Sequence, residues 1–548
     1  METPKLIDIF NKKEGGFSKE QVIKDIIAGI IVAIIALPLS VALGISSGVT
    51  PDKGLITAII AGFIISAIGG SRVQIGGPTG AFVVIVYGII EQYGFEGLVI
   101  STIMAGIILI IFGLLKFGSL IKYICYPITV GFTAGIGVTL FATQIKDFLG
   151  LNIDKVPSEF IPKIAAYINN IGTINWIALL LGVISIAIIV LWPKVNKTIP
   201  GSLVALIVVT VGTVIFKLDV PTIGSQFGEI SSSIPKISIP NIDFATIKVL
   251  FKPAFTIAVL AGIESLLSAV VSDAMIEDKH NSNMELIAQG VANIATGLFG
   301  GIPATGAIAR TAANVKNGGR TPIAGIVHAI TLLLIMKVFM PLAKFIPLAV
   351  LAAILMVVSY NMCEFKAFKE LFRANKSDIA ILVVTFLLTV VFDLVVAIEI
   401  GVVISVVLFM RQMAVSTEVH KSHGAEHVED SVRKIGEKIL VYDLKGPLFF
   451  GSVDTLSDKL SDIKDNTKVV ILRMRHSKVI DATGYDTIYK LQETLKKQGV
   501  ILIFSEMHID VKELMERRGF VDKLGERAFC NDFDKALSVG LEKVSELI

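Results

Sequence analysis

The sequence predicts an all-α polytopic membrane domain of 14 elements, arranged as two inverted halves of seven with a half-helix in each. A small α/β domain follows at the C-terminus. Three observations carry this reading. Long charge-free apolar runs fill the first 410 residues or so. A Gly-Gly…Pro…Thr-Gly-Ala segment occurs twice, at corresponding places in the two halves. After residue 415 the charge density rises and strand-like and helix-like stretches alternate.

Of 548 residues, 53% are hydrophobic and 18% are charged. That balance is too apolar for a soluble chain of this length. A net charge of +3 is too small to point to a nucleic-acid partner. Cys125, Cys363 and Cys530 lie far apart and form no CxxC or Cys/His set, so they read as free thiols, without a metal site. The first apolar run is too long for a signal-peptide core and many more follow, so it reads as a retained anchor.

The runs in order are Ile26–Val49, Gly54–Ser71, Gly97–Leu115, Tyr123–Ile145, Ile174–Pro193, Thr198–Phe216, Leu286–Ala309 and Phe345–Cys363, none with Asp, Glu, Lys or Arg. Several approach the roughly 20 residues that a helix needs to cross a bilayer. Lys252–Ser272, Pro322–Met340, Ser377–Phe392 and Leu394–Met410 add spans with few charges. With the two short segments beginning near Gly76 and Gly300, the count is 14 by residue 413.

Lys and Arg favour the cytoplasmic side. Placing Lys12, Lys13, Lys19 and Lys24 inside puts Arg72, Lys116, Lys122, Lys194, Lys197, Lys316, Arg320 and Lys366 to Lys376 inside too. The polar loops near 146–172 and 217–250 then fall outside. The expected organisation is a membrane domain at 1–415, a polar linker at 416–435 and a cytoplasmic domain at 436–548. In the last, Ile439–Asp443, Lys468–Met474 and Val500–Phe504 read as strands, and Val453–Ile463, Gly484–Lys497 and Val511–Arg517 as helices.

The repeated segment is Gly76-Gly77-Pro78-Thr79-Gly80-Ala81 in element three and Gly300-Gly301-Ile302-Pro303-Ala304-Thr305-Gly306-Ala307 in element ten. Element three is entered from inside and element ten from outside, so the copies run in opposite directions. Gly and Pro stop a helix from continuing. Irregular backbone at membrane depth is tolerated where protein or a wet cavity covers it. The helix after each copy, about 12 residues long, then starts near the midplane with free N–H groups and its positive dipole end. Two such ends facing each other make an anion site without lysine, and paired broken segments point to a transporter's site. A pair of packing kinks is the alternative.

Glu264 sits mid-span in element eight, and Ser268 shares its helical face. A carboxylate there faces a cavity or a partner. It could bind a proton, hold Na⁺ with Ser268, or brace the helix. Arg310 follows the second broken segment by about a turn; it could add charge to the anion site, pair with Glu264, or project to the cytoplasmic exit. Asp393 and Glu399 flank an outer turn and read as interfacial. Asp25 marks the inner end of element one, in which Pro38 places a kink.

Together these features resemble the SulP family of anion transporters. The stretches that carry the resemblance are Ala36-Leu37-Pro38-Leu39-Ser40, Gly76 to Gly80, Ala261-Gly262-Ile263-Glu264-Ser265, Asn281 to Leu286, and Pro303 to Thr311. The tail resembles a STAS domain, through Val470 to Met474 and Ile480-Asp481-Ala482-Thr483-Gly484. The resemblance implies core and gate domains, an elevator-like movement and commonly a homodimer. It implies a substrate site at Ser40, Thr79, Gly80, Ala81, Ala304, Thr305, Gly306 and Arg310, with Glu264 and Ser268 for the coupling ion. Sodium-coupled bicarbonate members carry Asp followed by Thr in element eight. Glu264 and Ser268 depart from that and lean toward proton symport. Anti-sigma-factor antagonists carry a phosphorylatable Ser where this chain has Ala482, so the tail reads as a trafficking, dimer or partner module.

The expected function is therefore secondary transport of sulfate, bicarbonate or a dicarboxylate, H⁺-coupled, across the cell membrane. An uncoupled exchanger or channel, a Na⁺-coupled bicarbonate symporter, or a tethered sensor with a cytosolic partner are the alternatives. A nucleobase symporter shares the 7+7 plan, but the tail and Arg310 argue against it. No nucleophile–base set, phosphate loop or metal cluster stands out; His280, His328 and His476 look isolated. No enzyme activity and no cofactor are expected.

Overall fold

The computed structural model describes residues 3–11, 18–119, 125–153, 155–196, 199–228, 232, 237–238, 240, 243–392, 394–423, 426, 433–454, 456 and 466–547. Asp393, the side chain of Glu399, most of the helix expected at Val453–Ile463, and Lys12, Lys13, Lys122 and Lys197 lie outside the described residues. The chain forms two compact units, residues 1–402 and 403–548.

The first half of the membrane domain runs through α1 (Lys19–Ser46), α2 (Pro51–Ile68), β1 (Gly76–Gly77), α3 (Gly80–Leu114), α4 (Tyr126–Leu149), a short helix α5 (Phe160–Asn169), α6 (Trp176–Leu191) and α7 (Gly201–Ile215). α3 is two elements in one. Gly94, at φ 69° and ψ −178°, breaks it, and only glycine adopts that backbone cheaply. The second half runs through α8 (Phe244–Ile276), α9 (Ser282–Leu298), β2 (Thr305–Gly306), α10 (Ile308–Lys316), α11 (Ile323–Phe339), α12 (Leu348–Met362), α13 (Lys376–Val391) and α14 (Leu394–Val415). Counting α3 twice and setting α5 aside gives seven elements in each half. Among the described residues, seven helices are long and apolar enough to cross a membrane by themselves. α10, with 9 residues, is shorter than the expected 12 because Asn317 and Gly318 end it.

Packing divides the helices into two groups. α3 packs on α8 and α9, and α11 packs on α1 and α2. Separately, α4 packs on α12 and α13, and α6 on α7 and α12. The seam between the groups is apolar, with Val41, Leu43 and Val83 against Leu140, Val350 and Leu351. Asp25 is a structural anchor, more than a boundary mark. Its buried carboxylate accepts from the Arg320 and Thr321 amides at 2.7 and 3.2 Å, and from the Thr321 hydroxyl at 2.6 Å. That ties the start of α1 to the start of α11.

The second unit is a five-stranded mixed sheet in the order β3 (Glu418–His423), β4 (Ile439–Lys445), β5 (Val469–His476), β6 (Ile501–Ser505), β7 (Phe529–Cys530). β3 pairs antiparallel with β4; the other pairs are parallel. Side chains alternate between faces. Leu440, Tyr442 and Leu472 pack under α15 (Ala482–Lys497) and α16 (Ile509–Arg517). Ile439, Val441 and Ile471 pack under α17 (Phe533–Glu546). The three expected strands and the helices α15 and α16 are present, each with slightly different ends. β3 corrects the reading of His420 onward as a plain linker. It is an edge strand with charged residues and histidines facing out, so it lacks an apolar signature. β7 and α17 were not foreseen either.

Candidate functional site

The two broken segments meet. β1 and β2 pair antiparallel, Gly76 opposite Gly306 and Gly77 opposite Thr305. Glycine is required by close approach. A Cβ on Gly306 would lie 2.0 Å from Gln74 Nε2, and one on Gly77, where φ is 151°, would lie 2.4 Å from Arg310 Nη1. From this bridge α3 and α10 leave in opposite senses. Thr79 and Ala307 occupy their N-cap positions, and neither helix receives a side-chain cap. Thr79 has a hydroxyl suited to capping. It donates instead to Glu264 Oε2 at 2.9 Å. Among the described residues the Gly80 and Ala81 amides of α3 and the Ile308, Ala309 and Arg310 amides of α10 make no intrahelical or capping bond, while the Phe82 amide donates to the Thr79 carbonyl at 3.3 Å.

α8 runs beside both ends. The Thr305 hydroxyl donates to the Ala261 carbonyl at 2.9 Å, one turn before Glu264. Arg310 is buried, and its Nη2 donates to the Pro78 carbonyl; its Nη1 has no hydrogen-bond partner among the described residues. Of the three courses open to Arg310 from the sequence, its hydrogen bond goes to the other broken segment. Ser40 is fully buried on α1 and its hydroxyl has no partner among the described residues. Gly80 and Ala81 begin α3 and are buried. A Cβ on Gly80 would press on Leu140 of α4 at 2.7 Å. Ala304 is held by Asn293, which donates to its carbonyl and accepts from its amide, both at 2.9 Å.

Of the ten residues singled out in the sequence, only Glu264 is incompletely buried. Ser268 is not brought to Glu264. Its hydroxyl turns to Thr311 Oγ1 at 3.4 Å, and Thr311 accepts from the Ile75 amide at 3.1 Å. Among the described residues no group of three or more His, Cys, Asp or Glu side chains is placed to hold a metal ion.

Residues 22–385 match the model of the sulfate permease family, and residues 431–536 match that of the STAS domain. The chain belongs to the sulfate permease family. It is 42% identical to the putative sulfate transporter YvdB of Bacillus subtilis, over 96% of this chain and 99% of that one. It is 33% identical to the bicarbonate transporter BicA of Picosynechococcus, over 84% of each. The transmembrane domain of a cyanobacterial BicA superposes with a TM-score of 0.63 at 30% identity, covering 71% of this chain and 98% of that structure. The fold is also that of the murine Slc26a9 anion transporter, with a TM-score of 0.86 at 18% identity, covering 98% of this chain and 94% of that one. These relatives are transporters, not enzymes. The chain is a polytopic membrane anion transporter with a C-terminal STAS domain.

Sequence reasoning missed the residues that hold this sulfate permease site in place. Glu285 on α9 accepts from the Gly70 and Ser71 amides at 2.9 and 3.1 Å, and from Gln74 and Gln289 at 2.9 Å each. Gln74 also donates to Ser265 Oγ at 2.7 Å on α8. Thr57 accepts from the Ile302 amide at 2.8 Å, and Asn314 donates to the Val73 carbonyl at 2.9 Å. One signal was available: Glu285, Gln289 and Asn293 recur every four residues, a polar stripe on one face of an apolar span. His280 is not isolated. It bridges Asp273 at 2.7 Å and Ser282 at 2.9 Å across the α8–α9 turn.

Proposed function

We propose that this sulfate permease carries a small oxyanion, sulfate or bicarbonate in the first instance and a dicarboxylate in the second, between the start of α3 and the start of α10. The observation that carries the reading is the Thr79 hydroxyl. It stands at an uncapped helix end, where an anion is favoured, yet is given to Glu264. The substrate residues in this reading are Ser40, Thr79, Gly80, Ala81, Ala304, Thr305, Gly306 and Arg310. Glu264 takes the coupling proton, whereas Ser268, turned to Thr311, ties α8 to α10 and is not part of the ion site.

The coupling follows from charge and donor count. An ionised Glu264 repels an anion nearby and occupies the Thr79 proton. A protonated Glu264 removes the negative charge and can itself donate to Thr79 Oγ1. The Thr79 proton is then free for the substrate. Anion and proton are therefore loaded together, and binding of each favours the other. Incomplete burial of Glu264 supports proton access. The 3.4 Å contact of Ser268 with Thr311 supports a proton over Na⁺, since it turns that hydroxyl away from the acid.

The two packing groups support an elevator-like movement of α1–α3 and α8–α11 against α4, α6, α7, α12 and α13. In this reading the transport unit ends near residue 415 and the STAS domain begins with β3 at Glu418, not at 436. The termini are cytoplasmic, the protein is a homodimer, and the STAS domain receives a cytosolic partner. Asp481, the residue before Ala482, supports a structural role for this segment. It caps α15 through the Gly484 amide at 2.7 Å and also accepts from the Phe450 amide at 3.0 Å.

The test is uptake of labelled sulfate, bicarbonate and fumarate by the purified protein in proteoliposomes. An inward proton gradient is expected to accelerate uptake of at least one, and Glu264→Gln to remove that acceleration while leaving anion binding. Uptake insensitive to the gradient in the wild type would refute proton coupling.

A further inference from the structure

A cavity of about 670 Å³ lies apart from the half-helix starts, along the later turns of the first half-helix. Its walls include Val84 of α3, Thr139 of α4, Lys163 of α5, Lys252 and Thr256 of α8, and Thr389 of α13. α5 and the loop that carries it fall on the side that the charge rule places outside. We propose that this cavity is a second anion site, in which the Lys163 ammonium captures a small inorganic oxyanion before it reaches the half-helix ends. The proposal rests on the anion-carrier reading above.

Lys163 carries the argument. It is only 4% exposed, yet lines the cavity. Among the described residues its ammonium makes no hydrogen bond and no ion pair; only its backbone amide is bonded, to the Glu159 carbonyl at 3.0 Å. Glu91, the acid that acts on it electrostatically, is already held by Lys155 at 3.4 Å. A buried ammonium without a counter-ion is costly, and an anion in the cavity removes that cost. The volume is generous for a bare oxyanion, so the ion would keep part of its water, as suits capture more than tight binding. The Thr256 hydroxyl, also without a protein partner among the described residues, stands two turns before Glu264, about 12 Å along α8. Val84 stands about 6 Å beyond Gly80 along α3. The cavity thus leads toward the site.

The other charged groups around it are few. Lys252 and Glu159 share the cavity wall, and Lys146, Asp147, Tyr87 and Tyr167 border a smaller space of about 210 Å³ on the other side of Lys163. Burial lowers the Lys163 ammonium to about 8, with Glu91 partly offsetting it. With Lys163 and Lys252 against Glu159 the lining is net positive, and a cleft with that bias and low-dielectric walls concentrates anions and raises their on-rates.

Initial sulfate uptake by the full chain in proteoliposomes tests this. Lys163→Met is expected to raise KM about tenfold with Vmax within about twofold, and Lys163→Arg to stay near the wild type. Should Lys163→Met fail to fold, Thr256→Val is read the same way, with about a threefold rise in KM expected. In parallel, sulfate is expected to protect Lys163 of the wild type from acetylation, read by mass spectrometry. An unchanged KM, a loss confined to Vmax, or absent protection would overturn the capture site. A wild type that moves none of the anions would overturn the carrier reading instead, and the protection measurement still decides this one.

Discussion

Thr79 serves two neighbours with one proton: the helix end it begins and the acid on α8. Thr79→Val leaves the Glu264 carboxylate without its donor, and a hydrogen bond to a charged group contributes about 1.5–3 kcal/mol. Uptake should fall at least about tenfold by the same measure, and Thr79→Ser should restore most of it. Gly77→Ala tests the bridge itself. Its Cβ would sit 2.4 Å from Arg310 Nη1, so transport should be lost although the protein still reaches the membrane. Lys163 gives a pH test. The capturing form is the ammonium, present below about 8 and lost as pH rises through that value. KM for sulfate at fixed proton gradient should therefore climb above pH 8, and Lys163→Arg, which stays charged, should flatten the rise.

Among the elements, α9 is the spine of the site. Its polar stripe fastens the loop after α2 through Glu285 and the second broken segment through Asn293. Four donors converge on one carboxylate, which leaves no room for a donor in its place. Glu285→Gln should therefore destabilise the protein by about 2 kcal/mol, read as a lower Tm in detergent, because its NH₂ group faces N–H groups. Asn293→Leu should free the Ala304 strand and weaken anion binding more than folding. The half-helices themselves were legible from Gly-Gly, Pro and Thr-Gly-Ala. The stripe was harder to read, since uncharged Gln and Asn blend into an apolar run and only their spacing marks them. α5 was illegible for another reason: ten residues in a loop, neither a span nor a motif.

At the scale of the whole molecule, two units with separate cores predict separable behaviour. Removing residues 432–548 should leave uptake by the membrane unit near the wild-type rate while abolishing recruitment of any STAS partner, measured in the same cells. Within the STAS unit, Arg473 pairs with Glu506 and stacks on Phe533 at 4.7 Å. Glu506→Gln should lower the melting of that unit by about 1 kcal/mol, with transport unchanged. An elevator predicts one further outcome. A disulfide formed between Val83→Cys and Leu140→Cys, across the apolar seam, should stop transport but leave substrate binding measurable, and reduction should restore it.

By itself the sequence determined the solvent of each part of the chain, the number of membrane elements and the two places where helices break. Those follow from local composition: apolar length sets a span, and Gly with Pro ends one. It also named Thr79, Thr305, Glu264 and Arg310, because ionisable and broken positions in a membrane are rare and stand out. Tertiary structure decided where each side chain turns. Thr79 goes to Glu264 instead of its own helix, Ser268 to Thr311 instead of Glu264, Arg310 to the Pro78 carbonyl, and Lys163 to the wall of a cavity. Those choices depend on contacts between residues up to 232 positions apart. No local pattern encodes them, because a hydrogen bond goes to whichever partner the packing of α3, α8 and α10 brings within about 3 Å.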